Sequence, residues 1–153
     1  MNLFMDTSAL VKLYHQEKGT ETLLNFLNQF SGNLVLSISD LAKIEFHSAI
    51  LKRTRAKEIK IETAKQVLFD FDHDLRLLNI IEINRPIKDR AVQLLDEFAS
   101  TMNLRTLDSL QLASAILSVD NFLIDYFVAS DTRLLDLAKN YFSTFNPTES
   151  NES

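Results

Sequence analysis

Two glycines and two prolines in 153 residues leave this chain almost no material for tight turns. Sheets made of successive hairpins need such residues at every reversal, so an all-β design is disfavoured. Helices joined by short connections are expected instead. Apolar runs at 2–5, 34–38, 80–83 and 124–129 read as buried strands, and stretches of helical spacing lie between them. The spacing predicts a short helix from Ser8 that stops near Gly19. Thr20 is the expected cap of the next, whose Leu23, Leu24, Leu27 and Phe30 share a face. Ser39 or Asp40 opens a long helix through Leu41, Ile44, Ala49 and Leu51 that frays after Lys52, and another runs from about Ile61 to Leu78. Pro86 sits in the first turn of a helix reaching about Met102, and Thr106 caps the helix LDSLQLASAILSV. A last helix, TRLLDLAKNYF, precedes an edge strand before Pro147. Strands alternating with helices define an α/β fold with a mostly parallel central sheet of four or five strands. A single domain over 1–146 is expected, and the polar tail 147–153 (PTESNES) is expected to be disordered.

The absence of cysteine removes disulfides, zinc–thiolate sites and thiol catalysis, so any metal must be held by oxygen or imidazole. No secretory signal is evident at the N-terminus, and no apolar stretch approaches the roughly 18–20 residues of a membrane span. A cytoplasmic protein without membrane attachment is expected. The formal net charge of −5 is unlike that of strongly basic nucleic-acid binders. Positive side chains nevertheless gather in one segment: Lys43, Lys52, Arg53, Arg55, Lys57, Lys60 and Lys65. They form either a solvated helix face or a track for a phosphate backbone.

Four carboxylates carry the chemistry. Asp6 follows the first strand, Asp131 follows the fourth, Glu45 lies less than two turns into its helix, and Asp108 lies in the first turn of another. In a parallel sheet all four start near the carboxyl ends of the strands, where such folds place their sites. Each has a plain structural alternative. Asp108 can complement a helix dipole, Asp6 and Asp131 can cap turns, and Glu45 can sit in a surface ion pair. Their joint placement favours a site. Clustered carboxylates repel unless a cation is present, and an all-oxygen donor set suits Mg²⁺ or Mn²⁺. Such an ion supports phosphodiester hydrolysis.

The segments MDTSALVKLY (5–14), SISDLAKIEFHSA with Ser39 and Glu45, RTLDSLQLASA (105–115) and FVASDTRLLDLA (127–138) resemble the PIN-domain family, with the nearest likeness to its VapC-type toxins. The resemblance spans nearly the whole chain in the correct order. It implies a PIN-like three-layer α/β/α sandwich and a Mg²⁺- or Mn²⁺-dependent endoribonuclease that leaves 5′-phosphate and 3′-hydroxyl ends. By the same likeness Asp6 is a central metal ligand supported by Ser8, Glu45 and Asp108 are the second and third acids, and Asp131 is the fourth. It further implies an RNA substrate, a homodimer and a cognate antitoxin that blocks the acidic groove. Two positions depart from the pattern. Many relatives carry Thr or Ser two residues before the fourth acid, where this chain has Ala129 followed by Ser130. Some carry His three residues after the third acid, where this chain has Gln111, which cannot shuttle a proton but can orient water or substrate.

Other signals are weaker. Asp70, Asp72 and Asp74 have the spacing that begins a calcium loop, but Leu75 and Ile81 stand where glycine and glutamate are required. His15 and His47 have no metal-ligand partner at a suitable spacing, although His47 is close to Glu45. Arg105, beside Asp108, is either a surface cation or a contact to substrate phosphate. Tyr14 and Phe46 read as core. Two other functions compete with the nuclease: a non-catalytic PIN-like module that binds RNA or protein, and a phosphatase with an aspartyl nucleophile. The latter would need an acid two residues after Asp6, where Ser8 stands.

Overall fold

The computed structural model describes residues 1–118 and 123–149. Its strands are β1 (Asn2–Met5), β2 (Val35–Ser39), β3 (Asn79–Ile81), β4 (Tyr126–Val128) and β5 (Ser143–Phe145). Its helices are α1 (Thr7–Leu10), α2 (Thr20–Asn28), α3 (Ala42–Arg55), α4 (Ile61–Asp74), α5 (Arg85–Phe98), α6 (Thr106–Leu117) and α7 (Thr132–Ala138). The strands form one sheet in the order β3-β2-β1-β4-β5, and every pairing is parallel. The chain therefore builds outward from β1 to β3, returns to the other side of β1, and continues outward to β5. That reversal leaves a crevice at the carboxyl ends of β1 and β4, where ligands bind in such sheets.

The two-residue period of a strand explains the layers. Leu3 and Met5 point to one face of β1, where they join Ile38 and Val128 beneath α1 to α4. Phe4 points to the other, stacks on Phe127 at 5.2 Å, and packs with Ile87, Leu94 and Leu112 beneath α5 to α7. With both faces covered, β1 is buried along its whole length, which accounts for its unbroken apolar core. The result is the three-layer α/β/α sandwich expected from the sequence. Among the described residues no helix is long and apolar enough to cross a membrane.

Element ends differ from the sequence expectation where a polar side chain finds a partner that local reading does not see. Gly19 (φ 92°), not Thr20, occupies the cap position of α2, and a β-carbon there would meet the Pro147 carbonyl oxygen at 2.6 Å. Thr20 begins the helix and donates its hydroxyl to Lys12 O at 3.2 Å. The buried face of α2 is Leu23, Phe26 and Leu27, whereas Leu24 is exposed. Ser39 and Asp40 do not open α3: Ser39 is the last, fully buried residue of β2, and the helix begins at Ala42. Of its apolar positions, Ile44 and Leu51 are exposed. Likewise α4 ends at Asp74 in a 3-10 turn, and β3 begins at Asn79, whose side chain donates to Ser37 Oγ at 2.9 Å. The helix containing Pro86 ends at Phe98, and Arg105 rather than Thr106 stands at the cap of α6. The expected end of α6 at Val119 lies outside the described residues. Of the expected tail, Asn146–Glu149 form a turn in which Thr148 N donates to Asn146 Oδ1 at 2.9 Å; residues 150–153 lie outside the described residues.

Candidate active site

Asp6 leaves β1 with its backbone N–H bonded to Val128 O at 2.9 Å, so its position is locked to the end of β4. Its carboxylate is only 8% exposed and caps α1, accepting from Ser8 N at 3.1 Å and from Ser8 Oγ at 2.6 Å. Ser8 Oγ in turn accepts from Ser130 N at 2.9 Å, which ties the segment after β4 to the segment after β1. The residue after Ser130, Asp131, caps α7, its Oδ1 accepting from Arg133 N at 2.9 Å and Leu134 N at 3.1 Å. Glu45 lies in the first turn of α3, nearer the sheet than a helix start at Ser39 implied. Its Oε1 accepts from Gln111 Nε2 at 2.8 Å, and Gln111 Oε1 accepts from Ser39 Oγ at 2.9 Å. Asp108, the third residue of α6, accepts from Arg105 N at 3.3 Å.

Asp6, Glu45, Asp108 and Asp131 line one groove of about 810 Å³, together with Ser8 and Arg105. Gln111 and Ser130 lie behind this surface: both are sequence-predicted supporting residues, but neither lines the groove. Among the lining residues that sequence reading did not connect with the acids are Thr7, Ile44, Ser48 and Leu107. Ile44 is 69% exposed, an apolar residue on a polar-looking wall that only the true start of α3 would have revealed. Of the basic segment, Lys52 and Arg53 reach the groove. Arg53 is held there by Glu17 at 2.9 Å, and Glu17 also pairs with the buried Lys12 at 2.7 Å. The failed calcium-loop acids and the histidines His15 and His47 lie outside the groove. Asp70 bonds to Gln66, Asp74 to Tyr14, and Asp72 to His47 at 2.8 Å, the last joining α4 to α3.

Burial, with mutual repulsion added to it, raises the proton affinity of Asp6, Glu45 and Asp108. Burial pushes Glu45 up to about 7, and the nearby Asp6 and Asp108 charges add to it, against the Gln111 hydrogen bond. Burial also raises Asp6, with Asp108 adding to the effect and the Ser8 hydrogen bonds opposing it. Asp108 is raised by burial and by Asp131, against the Arg105 N–H and the Arg105 and Arg133 charges. A cation in the groove would relieve this repulsion. The buried hydroxyl Ser130 Oγ, adjacent in sequence to Asp131, has no hydrogen-bond partner. Such orphans are uncommon and point to a missing water or ligand. Among the described residues no three acidic or histidine groups close into a single ligand cluster. Mg²⁺ does not require one, since it keeps several waters and binds through one or two carboxylates. The donor set therefore fits a hard divalent ion.

Asp131 both caps α7 and lines the groove, and substitution can test the cap separately. Asn caps a helix as well as Asp does, so Asp131→Asn is expected to leave the melting temperature nearly unchanged. Asp131→Ala is expected to lose about 1 kcal/mol by removing the cap. Thermal unfolding in EDTA checks both; equal losses would show that the cap geometry is unimportant.

This fold and acid-lined groove match a known family. The PIN domain family model matches residues 3–140, and the chain belongs to that family. Its sequence matches no curated protein. Among solved structures it is similar to VapBC2 from Rickettsia felis bound to a promoter DNA fragment, at 18% identity and a TM-score of 0.69, covering 95% of this chain and 98% of that one. It is also similar to VapC20 from Mycobacterium tuberculosis, described as a toxin that cleaves the sarcin–ricin loop, at 14% identity and a TM-score of 0.64, covering 88% and 94%. A toxin–antitoxin complex from Klebsiella pneumoniae gives 18% identity and a TM-score of 0.64, covering 97% and 99%.

Proposed function

We propose that this protein is a divalent-metal-dependent endoribonuclease and the toxin of a toxin–antitoxin pair. The observation that carries the reading is the convergence of Asp6, Glu45, Asp108 and Asp131, from four separate elements, on one groove. Family membership and the toxins among its structural neighbours support the same reading. In this scheme Asp6 and Asp108 hold Mg²⁺ or Mn²⁺, Glu45 completes the acidic set, and Asp131 acts through water or a second ion. When bound, the ion supplies Lewis acidity and lowers the pKa of water. Ser8 keeps the Asp6 carboxylate in its rotamer through the 2.6 Å bond. Arg105 and Lys52, which both line the groove, attract the phosphates of the RNA. A cognate antitoxin that covers the groove, a homodimeric state and a cytoplasmic location belong to the same proposal.

The test is cleavage of a total-RNA and tRNA panel in Mg²⁺ or Mn²⁺, with EDTA and Asp108→Asn as controls. Cleavage by the wild type alone, leaving 5′-phosphate ends, is the expected result. Cleavage that persists equally in EDTA and in the variant would sink the metal–carboxylate mechanism. A wild type that neither cuts nor binds Mn²⁺ would leave a non-catalytic binding module in its place.

A further inference from the structure

The Ser39–Gln111–Glu45 chain of hydrogen bonds passes over the carboxyl end of β2 and links two layers of the fold. Glu45 belongs to α3 on one face of the sheet, Gln111 to α6 on the other, and Ser39 ends the strand between them. Ser39 and Gln111 are fully buried, so water does not compete for the bond between them, while the bond to Glu45 is half-buried at the groove. The direction of donation is determined by chemistry. A carboxylate only accepts, so the amide must present its NH₂ to Glu45, and its oxygen then needs a donor on the far side. The Ser39 hydroxyl is that donor, at 2.9 Å, and the amide reaches Glu45 Oε1 at 2.8 Å. A flipped amide would set oxygen against oxygen at the acid and leave the buried serine to turn its proton elsewhere. The relay thus restricts the rotation of a long side chain by engaging one carboxylate oxygen, Oε1.

We propose that Ser39 and Gln111 are positioning residues that fix the Glu45 carboxylate for cation binding. The inference rests on the nuclease reading above and extends it to two residues that do not line the groove. Outer partners of metal ligands matter by roughly 10–100-fold in affinity. Gln111→Met, which keeps the shape and removes the donor, is therefore expected to weaken Mn²⁺ binding by about 10-fold or more. Ser39→Ala is expected to act in the same direction with a smaller effect.

The decisive experiment is a double-mutant cycle on Mn²⁺ affinity, measured by calorimetry or electron paramagnetic resonance, with thermal unfolding in EDTA alongside. In a Glu45→Gln background, Gln111→Met is expected to change the affinity no further, because the group it positions has been altered. An equal loss in both backgrounds, or no loss in either, overturns the proposal and leaves the glutamine a packing residue. Should Gln111→Met fail to fold, the same cycle is read with Ser39→Ala by the same criteria. A wild type that binds no Mn²⁺ overturns the nuclease reading, and this inference with it; a wild type that binds while the variants match it overturns the inference alone.

Discussion

Asp6→Asn is expected to abolish RNA cleavage while raising the melting temperature of the metal-free protein. The two effects have one cause. Asp6 is buried beside Asp108, and burial with that neighbouring charge raises its pKa above the ordinary carboxylate range, so its charged form costs folding energy. Asparagine removes the charge but keeps the acceptor oxygen for Ser8 N and Ser8 Oγ, the two bonds that cap α1 and set the side chain. The fold is relieved and the local geometry is kept, but a neutral amide is a poor ligand for a hard cation. Loss of a residue that only supports a ligand costs roughly 10–100-fold, so loss of the ligand itself is expected to cost at least about 100-fold in cleavage rate. Asp6→Ala makes the contrast: it also removes the cap and is expected to lose about 1 kcal/mol relative to Asp6→Asn. Cleavage assays in Mn²⁺ and thermal unfolding in EDTA measure the two halves. Wild-type cleavage by Asp6→Asn would refute the role assigned to this acid.

The contrast between Asp6 and Ser39 shows what was legible in the sequence. Asp6 could be found because a fully buried strand ends in an acid, and an apolar run followed by DTS marks that junction without knowledge of the rest of the fold. Asp108 and Asp131 were legible for the same reason, since each sits at a helix start that follows a recognisable break. Ser39 was not, because serine before a helical stretch is a common cap, and only a partner 72 residues away makes it a strand end instead. Ile44, legible only as an apolar position of that helix, is exposed and lines the groove. Gln111 was legible as a departure from a family pattern, but its partners were not. Its amide accepts from Ser39 Oγ and donates to Glu45 Oε1, contacts that span 72 and 66 residues of sequence. The sheet order was legible only as parallel; the return of β4 to the free side of β1, which creates the crevice, is a long-range choice that no local periodicity encodes.

In EDTA the melting temperature is expected to fall as the pH rises from 5 to 8, and Mn²⁺ is expected to reverse that trend. Glu45 has a folded-state pKa of about 7 against an ordinary value of 4.5. Between those values the folded protein holds a proton that the unfolded chain has released, so stability decreases with pH across that window. The penalty is absent below 4.5 and complete above about 7, and the raised values of Asp6 and Asp108 act in the same direction. Glu45 is only partly buried, and solvent screening holds its own share to on the order of 1 kcal/mol, or roughly 2–4 °C for a domain of this size. Glu45→Gln is expected to flatten the slope by that amount. Mn²⁺ binds the deprotonated acids, so its stabilisation grows with pH. At 100 times its dissociation constant it contributes about 2.7 kcal/mol, a rise of roughly 5–10 °C. Thermal unfolding at pH 5, 6, 7 and 8, with EDTA or Mn²⁺, measures both slopes. A metal-free protein that grows more stable toward pH 8, with no gain from Mn²⁺ at any pH, would mean that these four acids tolerate one another without a cation. The metal-centred reading of the groove would then be wrong.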